Sequence, residues 1–130
     1  MIVVDTSVVI EVLLATSAAW SIERRLHRAK MSLHAPQLLD IEVLQVLRRL
    51  CAQKEMTADR GRTALEDFLV LPITRYGHGP LNDRIWALRH NMTAYDAAYV
   101  ALAEALEAPL ITRDRRLGNA PGHTALIEVV

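Results

Sequence analysis

The most constraining stretch of the sequence is its opening, Met1-Ile2-Val3-Val4-Asp5-Thr6-Ser7. Three consecutive aliphatic residues, two of them valine, predict a short strand buried on both faces, as in a parallel sheet. A carboxylate stands where that strand should stop, followed by two hydroxyl residues and a new apolar run. Thr6 and Ser7 are good helix N-caps, so the predicted order is strand, Asp5, helix. In open α/β sheets ligands sit in the crevice beyond the carboxyl ends of the strands. Asp5 therefore falls where function would be, although an Asp after a strand is also an ordinary turn or cap residue.

The remainder alternates in the same way. Residues 8–14 predict a short helix, and Thr16 or Ser17 can cap a second one running to about Ala29. Arg24, Arg25 and Arg28 would form its solvated outer stripe. Ser32-Leu33-His34-Ala35 is a strand candidate ending at Pro36. The helix expected over 37–53 is apolar around most of its circumference, which predicts burial in the core and in a subunit interface. Within it, Glu42 has Leu38, Leu39 and Val46 three or four residues away. A carboxylate in that setting is costly without a partner, so it reads as a structural ion pair or as a metal or catalytic group. Asp40 lies in the first turn, where the helix dipole favours a negative charge.

Thr57 should cap a helix over 58–71 with Leu65, Phe68 and Leu69 turned inward. Leu71-Pro72-Ile73-Thr74 reads as an edge strand with proline at its start. A loop at 77–80 leads into a helix to about Asn91, with Trp86 as core filling. Thr93 and Asp96 have capping-box spacing, and the alanine-rich body behind them suits close packing on a sheet. Ala108-Pro109 ends that helix. Leu110-Ile111 resumes a buried strand, Thr112-Arg113-Asp114 leaves it, and residues 125–129 form a closing strand.

This alternation predicts an α/β fold, a three-layer α/β/α domain with a short parallel sheet of four to five strands. Its 130 residues are the size of one domain, read as a single domain over 1–130, and long enough to bury a core. No apolar run approaches the roughly 20 residues of a membrane span, and no signal peptide is evident. Cys51 is the sole cysteine, which excludes an internal disulfide and suits a reducing cytoplasm. A net charge of zero excludes a protein that grips nucleic acid by bulk charge. The cations are nonetheless almost all arginine, with only Lys30 and Lys54 as lysines. That skew suits bidentate phosphate contact and equally fits a codon bias.

Four acids stand out: Asp5 and Asp114 after strands, Asp96 in a helix's first turn, and Glu42 within an apolar helix. Strand ends and a helix N-terminus can meet in one cleft. Four carboxylates held together repel unless a cation neutralises them. An all-oxygen set without clustered Cys or His selects Mg²⁺ or Mn²⁺ over zinc. In two-ion form such metals clamp the attacking and leaving oxygens of a phosphoryl displacement. Arg113, Arg115 and Arg116, beside Asp114, are candidates for backbone phosphates or for an ordinary solvated turn.

The chain resembles the PIN-domain family, specifically its VapC-type toxins. Ile2-Val3-Val4-Asp5-Thr6-Ser7 resembles the opening motif, and Ala35-Pro36 with Glu42-Val43 the second. The run from Thr93 to Ala103 resembles the third, and Ala108-Pro109-Leu110-Ile111-Thr112-Arg113-Asp114 the fourth. The resemblance runs nearly end to end and implies a Mg²⁺-dependent endoribonuclease with Asp5, Glu42, Asp96 and Asp114 as its acidic site. Asp5, Asp96 and Asp114 would hold the cation, and Glu42 would bind a second ion or orient water. Thr6 and Thr112 would support a side chain or metal-bound water. It also implies a homodimer, an RNA substrate and a VapB-type antitoxin encoded beside the toxin.

Two other classes compete. A phosphatase of the haloacid dehalogenase type needs a second Asp two residues after the first, where this chain has Ser7. It also needs a late catalytic lysine, and neither Lys30 nor Lys54 follows a late strand. A non-catalytic PIN-like interaction module would have lost an acid, and all four are present.

Overall fold

The computed structural model describes residues 1–27 and 31–130. Its five strands are β1 (Ile2–Val4), β2 (Leu33–Pro36), β3 (Ile73–Tyr76), β4 (Leu110–Thr112) and β5 (Ile127–Val129). They form one parallel sheet in the order β3-β2-β1-β4-β5. Ile2, Val3 and Val4 are at most 1% exposed, as the opening triplet demands of a central strand covered on both faces.

The helices are α1 (Thr6–Leu13), α2 (Ala19–His27), α3 (Leu38–Ala52), α4 (Ala58–Val70), α5 (Asn82–Ala87), α6 (Ala94–Leu106) and α7 (Arg115–Gly118), with a 3₁₀ turn at Gly79–Leu81. The chain steps from β1 to β2 to β3 in one direction and then returns across the sheet to β4 and β5. Right-handed crossovers put the helices of the outward and return journeys on opposite faces. Accordingly α1 packs with α2, α3 and α4, while α6 packs with α5 and lies along β1, β2 and β4. The direction of strand addition reverses at β1, between β2 and β4. Such a switch point opens a crevice at the carboxyl ends of its strands, where helices diverge to the two faces.

Three of the longer helices start at a side-chain cap. Asp5, rather than Thr6 or Ser7, is the N-cap of α1, accepting from the Val8 amide at 3.2 Å. Thr57 caps α4 through the Arg60 amide at 3.1 Å, and Thr93 caps α6 through the Asp96 amide at 3.2 Å. Behind that cap, Ala97 to Ala103 are all buried, because small side chains let the helix lie close on the sheet. Glu107 ends α6 in the left-handed region at φ 50°.

Several expected details differ. The charged stripe of α2 is not simply solvated. Arg25 forks onto Glu128 of β5 at 2.8 and 2.7 Å, and Arg24 lies over Trp20. The expected extension of α2 through Arg28 to Ala29 lies outside the described residues. α3 buries one stripe, Leu39, Val43 and Leu47, but leaves Ile41 and Leu44 facing out. Leu69 is exposed, leaving Phe68 and, in part, Leu65 to fill the core side of α4. The helix expected to reach Asn91 ends at Ala87, and Trp86 on it is exposed with Arg89 stacked on its ring. α5 is too short to bury a face of its own, so it contributes Leu88 just past its end to the core.

Candidate active site

Asp5 leaves β1 at the switch point and is only 8% exposed. One of its oxygens, Oδ1, accepts from the Ser7 hydroxyl at 2.6 Å and the Val8 amide at 3.2 Å. Its other oxygen accepts from the Thr112 hydroxyl at the end of β4. Burial pushes the Asp5 carboxyl above its ordinary value, opposed by the hydrogen bonds from Ser7, Thr112 and Val8. Among the described residues no cationic side chain pairs with it. A buried anion held only by neutral donors is a natural seat for a cation.

Glu42 reaches the same crevice from α3. Its Oε1 accepts from Thr6 at 3.0 Å and from the Tyr99 hydroxyl at 2.5 Å, and the two hydroxyls are 3.1 Å apart. The cost of Glu42 on an apolar helix is thus offset by two hydroxyl donors instead of an ion pair. Burial first, and then the hydrogen bond to Glu42, pushes the Tyr99 phenol well above its ordinary range. Tyr99 therefore stays protonated and donates.

Asp114 caps α7, accepting from the Arg116 amide at 2.9 Å. The Arg116 guanidinium also lies on it, Nη2 to Oδ2 at 2.9 Å, and holds this carboxyl below its ordinary value. A chain of hydrogen bonds ties Asp114 to Asp5, because the Asp114 amide donates at 2.9 Å to the Thr112 hydroxyl that itself donates to Asp5. Asp96 sits one helical turn before Tyr99 on α6, and its charge adds to that of Asp114 in holding Arg116 protonated.

Asp5 and Asp114 are thus linked through the Thr112 hydroxyl, Glu42 is held by Thr6, the chain neighbour of Asp5, and Asp96 stands near enough for its charge to act on Arg116. Among the described residues no three acids, histidines or cysteines stand close enough to share one metal ion. Asp5, Glu42 and Asp114 are each turned to a partner within the protein. A cation bound by this set would draw Asp114 off Arg116, a rotation of one exposed side-chain pair. The donors available are all oxygens, so the set fits a hard divalent ion.

The three arginines after β4 have different settings. Arg113 donates to the Val130 carbonyl at 2.8 Å and lies 3.7 Å from Glu11, and Arg116 is on Asp114. Arg115 is exposed, without an ion-pair partner among the described residues. Asp40 pairs with Arg75 at 3.0 Å.

Two residues of this network had no functional part in the sequence reading. Ser7, a cap candidate by sequence, instead joins Asp5 to the Arg113 amide, its hydroxyl donating to Asp5 and accepting from that amide at 2.9 Å. Tyr99 carries the one phenol on the buried face of α6. The available signal was its spacing of three from Asp96, which puts both on one side of a helix.

Fold and site together define an α/β domain with an acidic crevice at the topological switch point of a parallel sheet. A family model described as PIN domain matches residues 2–122. Ribonuclease VapC12 of Mycobacterium tuberculosis is 40% identical over 130 residues, spanning 100% of this chain and 99% of that protein. Ribonuclease VapC1 of the same organism is 43% identical over 129 residues, spanning 98% and 96%. The crystal structure of VapBC2 from Rickettsia felis bound to a DNA fragment from their promoter matches with a TM-score of 0.72. That match covers 99% of this chain and 98% of that one at 14% identity, a likeness of fold alone. The chain belongs to the PIN-domain family, as a VapC-type member.

Proposed function

We propose that this protein is an endoribonuclease, the toxin half of a toxin–antitoxin pair, hydrolysing RNA phosphodiester bonds with Mg²⁺, or Mn²⁺, as cofactor. The observation that carries this reading is Asp5, a buried carboxylate at the switch point with hydroxyl and amide donors but no cationic partner. Full-length similarity to proteins named ribonucleases supports it.

In this reading Asp5, Asp96 and Asp114 would hold the cation, with Glu42 at its edge. The ion would supply Lewis-acid stabilisation of charge on the phosphoryl oxygens. The protein's own groups do the remaining work. Thr112 and Ser7 fix both oxygens of Asp5, so the carboxylate cannot swing away. Thr6 and Tyr99 saturate Glu42 Oε1, which leaves Oε2 to take a proton from a water whose oxygen attacks phosphorus, while the P–O bond to the departing ribose oxygen breaks and that oxygen takes a proton from solvent. Arg115 is the cation best placed to hold a backbone phosphate.

Incubating the purified protein with total RNA and Mg²⁺, then mapping new ends, tests the activity. New ends that vanish with chelator are the expected result, and RNA left intact with either ion overturns it. The separation of the acids favours one other reading, a non-catalytic interaction module. That module would retain RNA or a protein partner without producing new ends.

The proposal includes a homodimer and a VapB-type antitoxin. α3 leaves Ile41 65% and Leu44 42% exposed, apolar surface that a second copy would cover. Light scattering at micromolar concentration should give twice the 14.5 kDa chain mass. A monomer's mass would remove the dimer from the proposal.

A further inference from the structure

Trp86 is 68% exposed on α5, although a large indole ordinarily loses much of its surface on folding. Arg89 lies over it with Cζ 4.6 Å from the ring centroid, anchored by Nη1 donating to the Trp86 carbonyl at 3.0 Å. Among the described residues Arg89 has no carboxylate partner. Trp86 and Arg89 line a cleft of about 370 Å³ whose far wall is Met92, Thr93 and Ala94. That volume is at the small end of the range for ligand sites, roughly 300–1,000 Å³. Thr93 is the residue whose hydroxyl caps α6 at the Asp96 amide. The cleft therefore opens within one helical turn of an acid of the crevice, and a second exposed ring, Tyr95, stands beside Asp96.

We propose that Trp86 and Arg89 form a stacking subsite that takes one unpaired base of an RNA strand beside Asp96. This rests on the ribonuclease reading and adds the part of the substrate the protein grips. A base has a π-face whatever its identity, so an aromatic ring binds single strands with little sequence preference. The guanidinium holds the indole in place and offers its free edge to the adjoining phosphate. This explains how a chain of zero net charge can bind a polyanion: by stacking and one local cation rather than by a charged surface. A second copy of the chain is the competing occupant, and the mass measurement below separates the two.

Trp20 and Trp86 are the only two tryptophans, so Trp20→Phe leaves Trp86 as the sole indole reporter. Titration of that variant with a short single-stranded RNA in chelator should quench its emission. In the otherwise native chain, Trp86→Ala should raise KM about ten-fold, the order of one lost base stack, with kcat nearly unchanged. Trp86→Phe should recover most of the loss, because a ring remains. An unchanged KM in Trp86→Ala, with the native protein cleaving RNA, overturns the subsite and leaves the ribonuclease reading intact. If the native protein cleaves no RNA, that reading fails, and quenching alone then decides whether the subsite binds. A Trp86→Ala protein that halves in mass by light scattering while keeping its RNA affinity also overturns the subsite. The patch would then be a contact between copies.

Discussion

Asp5→Asn is expected to lower RNA cleavage by at least about 100-fold while raising the thermal midpoint of the metal-free protein at neutral pH. The loss should exceed the 10- to 100-fold typical of residues that only support a ligand, because a charge would leave the ligand set itself. The gain in stability follows from burial. The folded protein holds the Asp5 proton more tightly than the unfolded chain, whose reference value is 3.8. The stability contributed by protonated Asp5 is therefore full below that value and lost as pH rises through the higher folded value. At neutral pH the charged carboxylate is a cost, and asparagine removes it. The Ser7, Val8 and Thr112 contacts can persist, since an amide both accepts and donates. Thermal scans in chelator should show the variant ahead at pH 7, with the gap closing towards pH 4. Each kcal/mol is worth about 4 °C in a domain of this size. Asp96→Asn should lose cleavage without the gain, because its charge sits in the first turn of α6. Losing it there costs up to about 1 kcal/mol. Cleavage unchanged in both variants would end the metal-site assignment, and a lower midpoint for Asp5→Asn at pH 7 would end the burial argument.

The second large effect is expected at the antitoxin. Arg116 shows how a guanidinium sits on an acid of this site, its Nη2 2.9 Å from Asp114 Oδ2 and its Nε 3.3 Å from Oδ1. An arginine supplied by a partner can make the same contact with Asp5 or Asp96 and so compete with a cation. Replacing the arginines of the antitoxin's C-terminal part by alanine should weaken inhibition at least about 30-fold, the smaller end of the effect of breaking a desolvated charge pair (about 2–5 kcal/mol). Excess Mg²⁺ should blunt the native peptide and leave the alanine peptide's residual potency unchanged. Full potency of the alanine peptide would show that inhibition comes from covering the RNA path alone.

Much of this architecture was legible in the chain. Ile2, Val3 and Val4 announce a strand covered on both faces, and they are buried on both faces. Thr57 and Thr93 mark the starts of α4 and α6 because capping is local chemistry, decided within three residues. The acids after β1 and β4 could be singled out for a similar reason, since strand ends are readable and ligands collect beyond them. Burial was less legible. Trp86, Leu69, Ile41 and Leu44 all carry apolar side chains yet face outward, because composition records what a side chain prefers and not which face its helix turns to the sheet.

What the sequence determined by itself was the alternation of strands and helices, the caps of α4 and α6, and three acids at the ends of elements, Asp5, Asp96 and Asp114. Those properties depend on neighbours within a few residues. Only the tertiary structure decided that Glu42 meets Thr6 and Tyr99, that Thr112 bridges Asp5 to Asp114, and that Arg116 rather than Arg115 holds Asp114. Three of those contacts, from Thr6 and Tyr99 to Glu42 and from Thr112 to Asp5, join residues 36, 57 and 107 positions apart. They are set by the reversal of strand order at β1, which brings α1, α3, α6 and β4 to one crevice and which no local pattern encodes.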